Sequence, residues 1–159
     1  MKKQSAGILP FRGSNADLEV FLVHPGGPSW AKKDAGAWSI AKGEYSEDEN
    51  ALRAAKREFE EETGVAVSGD LISLGEVKQA GGKVVKAWAL KHDLDPATLK
   101  SNTFRLEWPP RSGKIQEYPE VDSGAWFSLA VARKKIVKAQ EEFLTRLVDG
   151  MTVSAKHNH

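Results

Sequence analysis

Glu58, Glu61 and Glu62 stand at i, i+3 and i+4 of one another, a spacing that gathers three carboxylates on one face of a helix. Like charges so placed destabilise a bare helix by about 0.2–0.5 kcal/mol per pair, so an offsetting partner is expected. Two kinds of partner suit the pattern. Arg53, Lys56 and Arg57 lie on the same segment and can neutralise a solvated acidic face. A hard divalent cation, Mg²⁺ or Mn²⁺, can instead take carboxylate oxygens as ligands while keeping several waters. The ends of the segment carry helix signals. Ser46-Glu47-Asp48-Glu49 reads as a capping box, with the Ser46 hydroxyl accepting from the Glu49 N–H and the Glu49 carboxylate returning to the Ser46 N–H. Gly64 supplies a left-handed stop, with Val65 packing back as in a Schellman motif. The spacing therefore predicts a helix over 46–63, with Leu52, Ala55 and Phe59 on its core stripe.

The glutamates belong to a longer pattern. Gly43, Glu49, Arg57, Glu58, Phe59, Glu61, Glu62, Gly64 and Val65 satisfy G-x5-E-x7-R-E-U-x-E-E-x-G-U, where U is apolar. Seven fixed letters at average residue usage arise in such a chain by chance roughly one time in a million, so the pattern is specific. From Gly43 to Val65 the chain resembles the Nudix hydrolase family, whose signature this is. The resemblance implies an α/β/α sandwich with a mixed β-sheet. It also implies a reaction in which divalent cations, Mg²⁺ or Mn²⁺, are held against the pyrophosphate of a nucleoside diphosphate derivative while water attacks phosphorus. On that resemblance Glu58, Glu61, Glu62 and the Gly43 carbonyl become metal ligands, and Glu58 or Glu61 doubles as general base. Arg57 completes the catalytic set by bracing the loop through an ion pair with Glu49. A further carboxylate beyond the signature often completes such sites; Glu120, six residues before Trp126, is the candidate, with Glu117 nearby. Lys42 is expected to touch a phosphate, as the corresponding lysine does in the dinucleoside polyphosphate hydrolases that Trp38 to Glu44 resembles. Those enzymes commonly have proline where this chain has Ala41.

Aromatic and basic residues in loops are the candidates for recognising the rest of a substrate. Trp30 and Trp108 occupy breaker-rich segments and can stack on a base. Lys32, Lys33, Arg105, Arg111 and Lys114 lie near them, either to meet further phosphates or simply as solvated loop charges. Trp38 and Trp88, at strand positions, read as core.

The elements that must position these residues fit within one domain. The 159 residues, 40% hydrophobic, suffice for a single core, expected over residues 1–150, with 151–159 as a flexible polar tail. His157 and His159 in that tail are read as frayed rather than metal-binding. A formal net charge of +1 gives no field for recruiting nucleic acid or an anionic membrane. The absence of cysteine excludes a disulfide framework, a thiolate zinc site and a cysteine nucleophile. Nowhere do about 18 apolar residues run together as a membrane span requires, and the cytoplasm is the expected location.

Strands are predicted over 5–11, 18–23, 37–41, 71–77, 84–90, 103–108 and 125–127, and a second helical stretch over 129–148. This mixed pattern predicts an α/β fold. The function expected is a pyrophosphohydrolase acting on a small nucleotide, with dinucleoside polyphosphates or nucleoside triphosphates favoured. Nucleotide sugars and oxidised nucleotides are the alternatives within the family. A non-catalytic nucleotide sensor is the alternative from another class, and it predicts damage to the carboxylate set, which is complete here.

Overall fold

The computed structural model describes residues 3–157. In chain order it contains β1 (Gln4–Arg12), β2 (Glu19–Pro25), β3 (Ala41–Glu44), α1 (Ala51–Thr63), β4 (Leu71–Lys78), β5 (Val84–Lys91), β6 (Thr103–Glu107), β7 (Ile115–Pro119), β8 (Val121–Ser128), α2 (Leu129–Lys135) and α3 (Glu141–His157). The last helix thus runs beyond residue 150, where the domain was expected to end. Residues 158 and 159 of the expected tail, and the side chains of 152–157, lie outside the described residues.

β1 is central because its residues are apolar on both faces. It pairs in parallel with β5 from Gln4↔Val84 to Phe11↔Lys91. Its other edge is shared: β3 pairs along Ser5–Ile8 and β2 joins at Phe11 and Arg12. The mixed sheet runs β4-β5-β1-β2-β8, with β3 against β1. Successive side chains point to opposite faces, and both faces are covered. Ala6 and Ile8 pack with Ala54, Ala55 and Phe59 of α1. Leu9, Phe11 and Leu22 pack on the other side with Ile136, Phe143, Leu144 and Leu147. The result is an α/β/α sandwich in which α1 lies directly over β1 and β3, carrying its acidic face to one edge of the sheet.

Two expectations are corrected and one strand is added. The helical stretch over 129–148 is two helices. Between them Ile136 and Val137 are extended: Ile136 bridges Trp38, and Val137 N–H donates to Trp38 O at 2.7 Å. A β-branched pair is a weak helix former, and backbone bonds to a neighbour outcompete continuation. The strand expected over 37–41 begins instead at Ala41, because only Ala41–Glu44 lie opposite the free edge of β1. Finally, β6 is one arm of a hairpin whose partner, β7, went unread. Its residues are almost all exposed, so it has no apolar alternation to betray a strand.

Candidate active site

The acidic helix is positioned from both ends. α1 starts later than the capping-box reading predicts: Asn50 is the N-cap, its side chain accepting from Arg53 N–H at 3.2 Å. Ser46 instead closes a turn through its carbonyl, which accepts from Glu49 N–H at 3.0 Å. The Glu49 carboxylate is engaged by Arg57, whose Nε and Nη2 each donate to it at 3.2 Å. A two-point charge-assisted pair of this kind is stronger than the single capping bond it displaces. At the C-terminus Gly64 is left-handed, with φ 76°, and its N–H donates to Glu60 O at 2.8 Å. Val65 packs against the α1 core as expected, although its N–H donates to Thr63 Oγ1 at 3.1 Å.

Between these ends the glutamates differ in environment. Glu61 is exposed and Glu58 and Glu62 are half-buried. Arg57 Nη1 lies 3.0 Å from Glu58 Oε1 and 3.6 Å from Glu61 Oε1. Gly43, on β3, faces Glu58 so closely that a β-carbon there would overlap the carboxylate. Burial raises the Glu58 pKa, opposed by Arg57. Glu62 is pushed up to about 8, first by burial and then by Glu58, Glu120 and Glu61. Its Oε2 is buried and has no hydrogen-bond partner. An unpartnered buried carboxylate oxygen among like charges is costly. Among the described residues no three acidic or histidine side chains converge on one point; Arg57 occupies the space between Glu58 and Glu61.

Glu120 reaches this group by backbone pairing. A bulge at His24/Pro25 brings Val121 opposite Pro25. Gly26 N–H then donates to Glu120 O at 2.9 Å, and Glu120 N–H to Asn102 O at 2.8 Å. Bulges re-aim side chains in this way at the rims of sheets. Lys42, next to Gly43 on β3, has its pKa lowered mainly by burial. Lys42, Glu62, Glu120 and Trp30 all border one cavity of about 350 Å³. Trp30 and Glu120 also border a second of about 280 Å³, with Phe104 and Leu106.

A model of the NUDIX domain matches residues 1–147. The chain belongs to the Nudix family. Three solved structures illustrate the fold it shares. An Ap4A hydrolase from C. elegans, solved as a binary complex, is 21% identical with a TM-score of 0.60, covering 95% of this chain and 98% of that one. A mutT/nudix family protein from Listeria innocua is 17% identical with a TM-score of 0.62, covering 96% and 95%. The NUDIX domain of NrtR from Shewanella oneidensis, complexed with ADP ribose, is 16% identical with a TM-score of 0.58, covering 98% and 89%. No curated protein matches the chain.

In this Nudix hydrolase the structure brings Gly43, Glu58, Glu61, Glu62, Glu120, Lys42 and Trp30 to one edge of the sheet. It does not bring Trp108, Arg111 and Lys114 there. They form the tip of the β6–β7 hairpin, where Trp108 N–H donates to Lys114 O at 2.9 Å, and none of them borders either cavity. The physical reason is that the strand residues Phe104 and Leu106, and not the turn beyond them, lie against the Trp30 loop.

Sequence reasoning missed a polar cluster in the same cavity. Gln140 is fully buried and bonded to Ser39, Ile40 and Gln79. The signal was present: Gln140 shares a helical stripe with Phe143, Leu144 and Leu147, as a lone polar residue on an apolar face. His24 was missed too. It ties the Trp30 loop to β8, with Nε2 donating to Lys33 O at 2.6 Å and Nδ1 lying 3.0 Å from Asp122 Oδ1.

Proposed function

We propose that this Nudix hydrolase is a divalent-cation-dependent pyrophosphohydrolase of small nucleotides, with dinucleoside polyphosphates or nucleoside triphosphates as the favoured class. One observation carries the reading: the buried, unpartnered Glu62 oxygen feels the charges of Glu58, Glu120 and Glu61, and Glu62 borders, with Glu120 and the half-buried Lys42, a cavity large enough for a nucleotide. A cation relieves the repulsion, and an all-oxygen donor set fits Mg²⁺ or Mn²⁺.

Glu58, Glu61, Glu62, Glu120 and the Gly43 carbonyl would hold the ion. When bound, a divalent cation neutralises phosphate oxygens and makes water acidic enough to attack phosphorus. Glu58 is the favoured general base, accepting the proton of the attacking water on its carboxylate, because burial raises its basicity towards working pH. Glu61 is the second candidate for that role. Arg57 holds the Glu49 loop and the Glu58 carboxylate in register. Lys42 donates to a phosphate oxygen, and Trp30 offers a face for stacking a base. The hairpin-tip residues Trp108, Arg111 and Lys114 are not needed for this chemistry.

A phosphate-release screen over a nucleotide panel, with Mg²⁺ and with Mn²⁺, tests the reading. Cation-dependent turnover of tetraphosphates or triphosphates is expected. Turnover restricted to nucleotide sugars, or independent of cation, would overturn it.

A further inference from the structure

The Gln79–Gln140 pair borders the cavity that holds Lys42, Glu62 and Glu120, and its hydrogen bonds leave one polar group over. The bonding order follows from groups whose role is unambiguous. The Ile40 N–H can only donate, so the Gln140 atom 3.0 Å from it is the amide oxygen. Gln140 Nε2 is therefore a donor with two protons. One goes to Ser39 Oγ at 2.9 Å, whose own proton is directed to Ile40 O at 2.7 Å. The other goes to Gln79 at 2.8 Å, which makes the receiving Gln79 atom its oxygen. Both amide orientations are thus set by a backbone donor. Gln140, fully buried, has no spare donor, and Ser39 Oγ lies 3.3 Å from its oxygen. Gln79 is left with Nε2, a donor only, and makes no other side-chain bond among the described residues.

A fixed donor beside a partly apolar cavity selects an acceptor. Among nucleobases, a ring carbonyl accepts where the corresponding amino group only donates. We propose that Gln79 reads the base, donating from Nε2 to its carbonyl, so that 6-oxopurine and 4-oxopyrimidine nucleotides are favoured over their amino counterparts. Gln140 is the positioning residue that prevents the Gln79 amide from flipping. The inference rests on the reading that a nucleotide occupies this cavity, and it adds the identity of the base edge. The position that discriminates is well removed in role from the acidic set: it sorts substrates and takes no part in hydrolysis.

Inosine and adenosine monophosphates differ only along one base edge, a carbonyl with a ring N–H against an amino group with a bare ring nitrogen, and so test which edge Gln79 reads. Their binding to the full chain is to be measured by calorimetry with Mg²⁺ present, and hydrolysis of inosine and adenosine triphosphates separately. Wild type is expected to bind inosine monophosphate about tenfold more tightly, the scale of one base-edge contact. In Gln79→Glu the introduced carboxylate still accepts from Gln140 but presents an oxygen in place of the amine. The ratio should reverse in favour of adenosine monophosphate, with an unchanged melting temperature. Gln79→Met should bring it close to one. Equal binding by wild type, binding of neither nucleotide, or a ratio unaltered in Gln79→Glu overturns the proposal. Turnover without base preference overturns it while leaving the hydrolase reading intact. Base preference in binding without any turnover supports it and overturns the hydrolase reading.

Discussion

Gly43 and Glu58 approach so closely that the smallest added side chain at residue 43 would occupy the space of the carboxylate. Two distant parts of the signature, a strand and a helix, are thereby in direct contact. Gly43 has no positive φ, so the glycine is required by space and not by backbone conformation. Gly43→Ala is expected to fold, because only a half-buried side chain must move. Turnover should fall about 100-fold, the scale of a displacement near 1 Å at a reacting centre. Steady-state kinetics with saturating Mg²⁺ checks this, and unaltered kcat would show that the contact is incidental.

The Glu62 carboxylate should make the cation-free protein pH-sensitive. Its pKa in the fold, about 8, lies above the ordinary value of 4.5. Between these values the folded chain holds a proton that the unfolded chain has released, so stability declines as pH rises through the window. The loss is on the order of 2 kcal/mol once water access to a half-buried group is allowed for. Melting in chelator from pH 5 to pH 8 should show the decline, and Glu62→Gln should flatten it. An identical slope in the variant would assign the effect to other groups.

Glu61→Gln separates chemistry from folding. Glu61 is exposed and its ion pair among the described residues is with Arg57, at 3.6 Å, so its neutralisation should shift stability by less than about 0.5 kcal/mol. Cation-dependent turnover should nevertheless fall by at least about 100-fold if the residue holds the ion. Retained turnover with a lowered melting temperature would reassign Glu61 to a structural role.

His24 links Lys33 O to Asp122 across the base of the Trp30 loop. His24→Ala should loosen that loop and raise KM about tenfold, the equivalent of about 1.4 kcal/mol of substrate contacts, with a smaller fall in kcat because the adjoining bulge also seats Glu120. A fall in kcat at constant KM would place His24 in the chemistry instead.

Gly64→Ala should destabilise the protein by about 1 kcal/mol, since alanine resists the left-handed conformation that glycine adopts freely. With φ 76° and no atom within 4 Å of an added β-carbon, the effect is purely conformational. Thermal melting should show a drop of about 2–4 °C, and no drop would mean that the α1 terminus relaxes around the substitution.

The sequence alone determined what local periodicity and short spacing can carry. The i, i+3, i+4 glutamates defined a helix and its acidic face. Gly64 defined where that helix stops, and the β-forming runs of β1, β2, β4 and β5, bounded by turn residues, defined most of the sheet. The family signature added the identity of the fold. Tertiary structure decided whatever depends on competition between distant partners. Asn50 caps α1 because Arg57, two turns along, takes the Glu49 carboxylate. The helix after β8 breaks at Ile136 because Trp38 offers it backbone bonds. Glu120 joins the glutamates through a bulge that shifts β8 against β2, whereas Arg111 and Lys114, a short way before it in sequence, are carried away on a hairpin tip. Gln79 and Gln140 lie in separate elements, and only a packed core, where an unsatisfied amide is costly, forces them into a single bonded pair at the wall of the cavity.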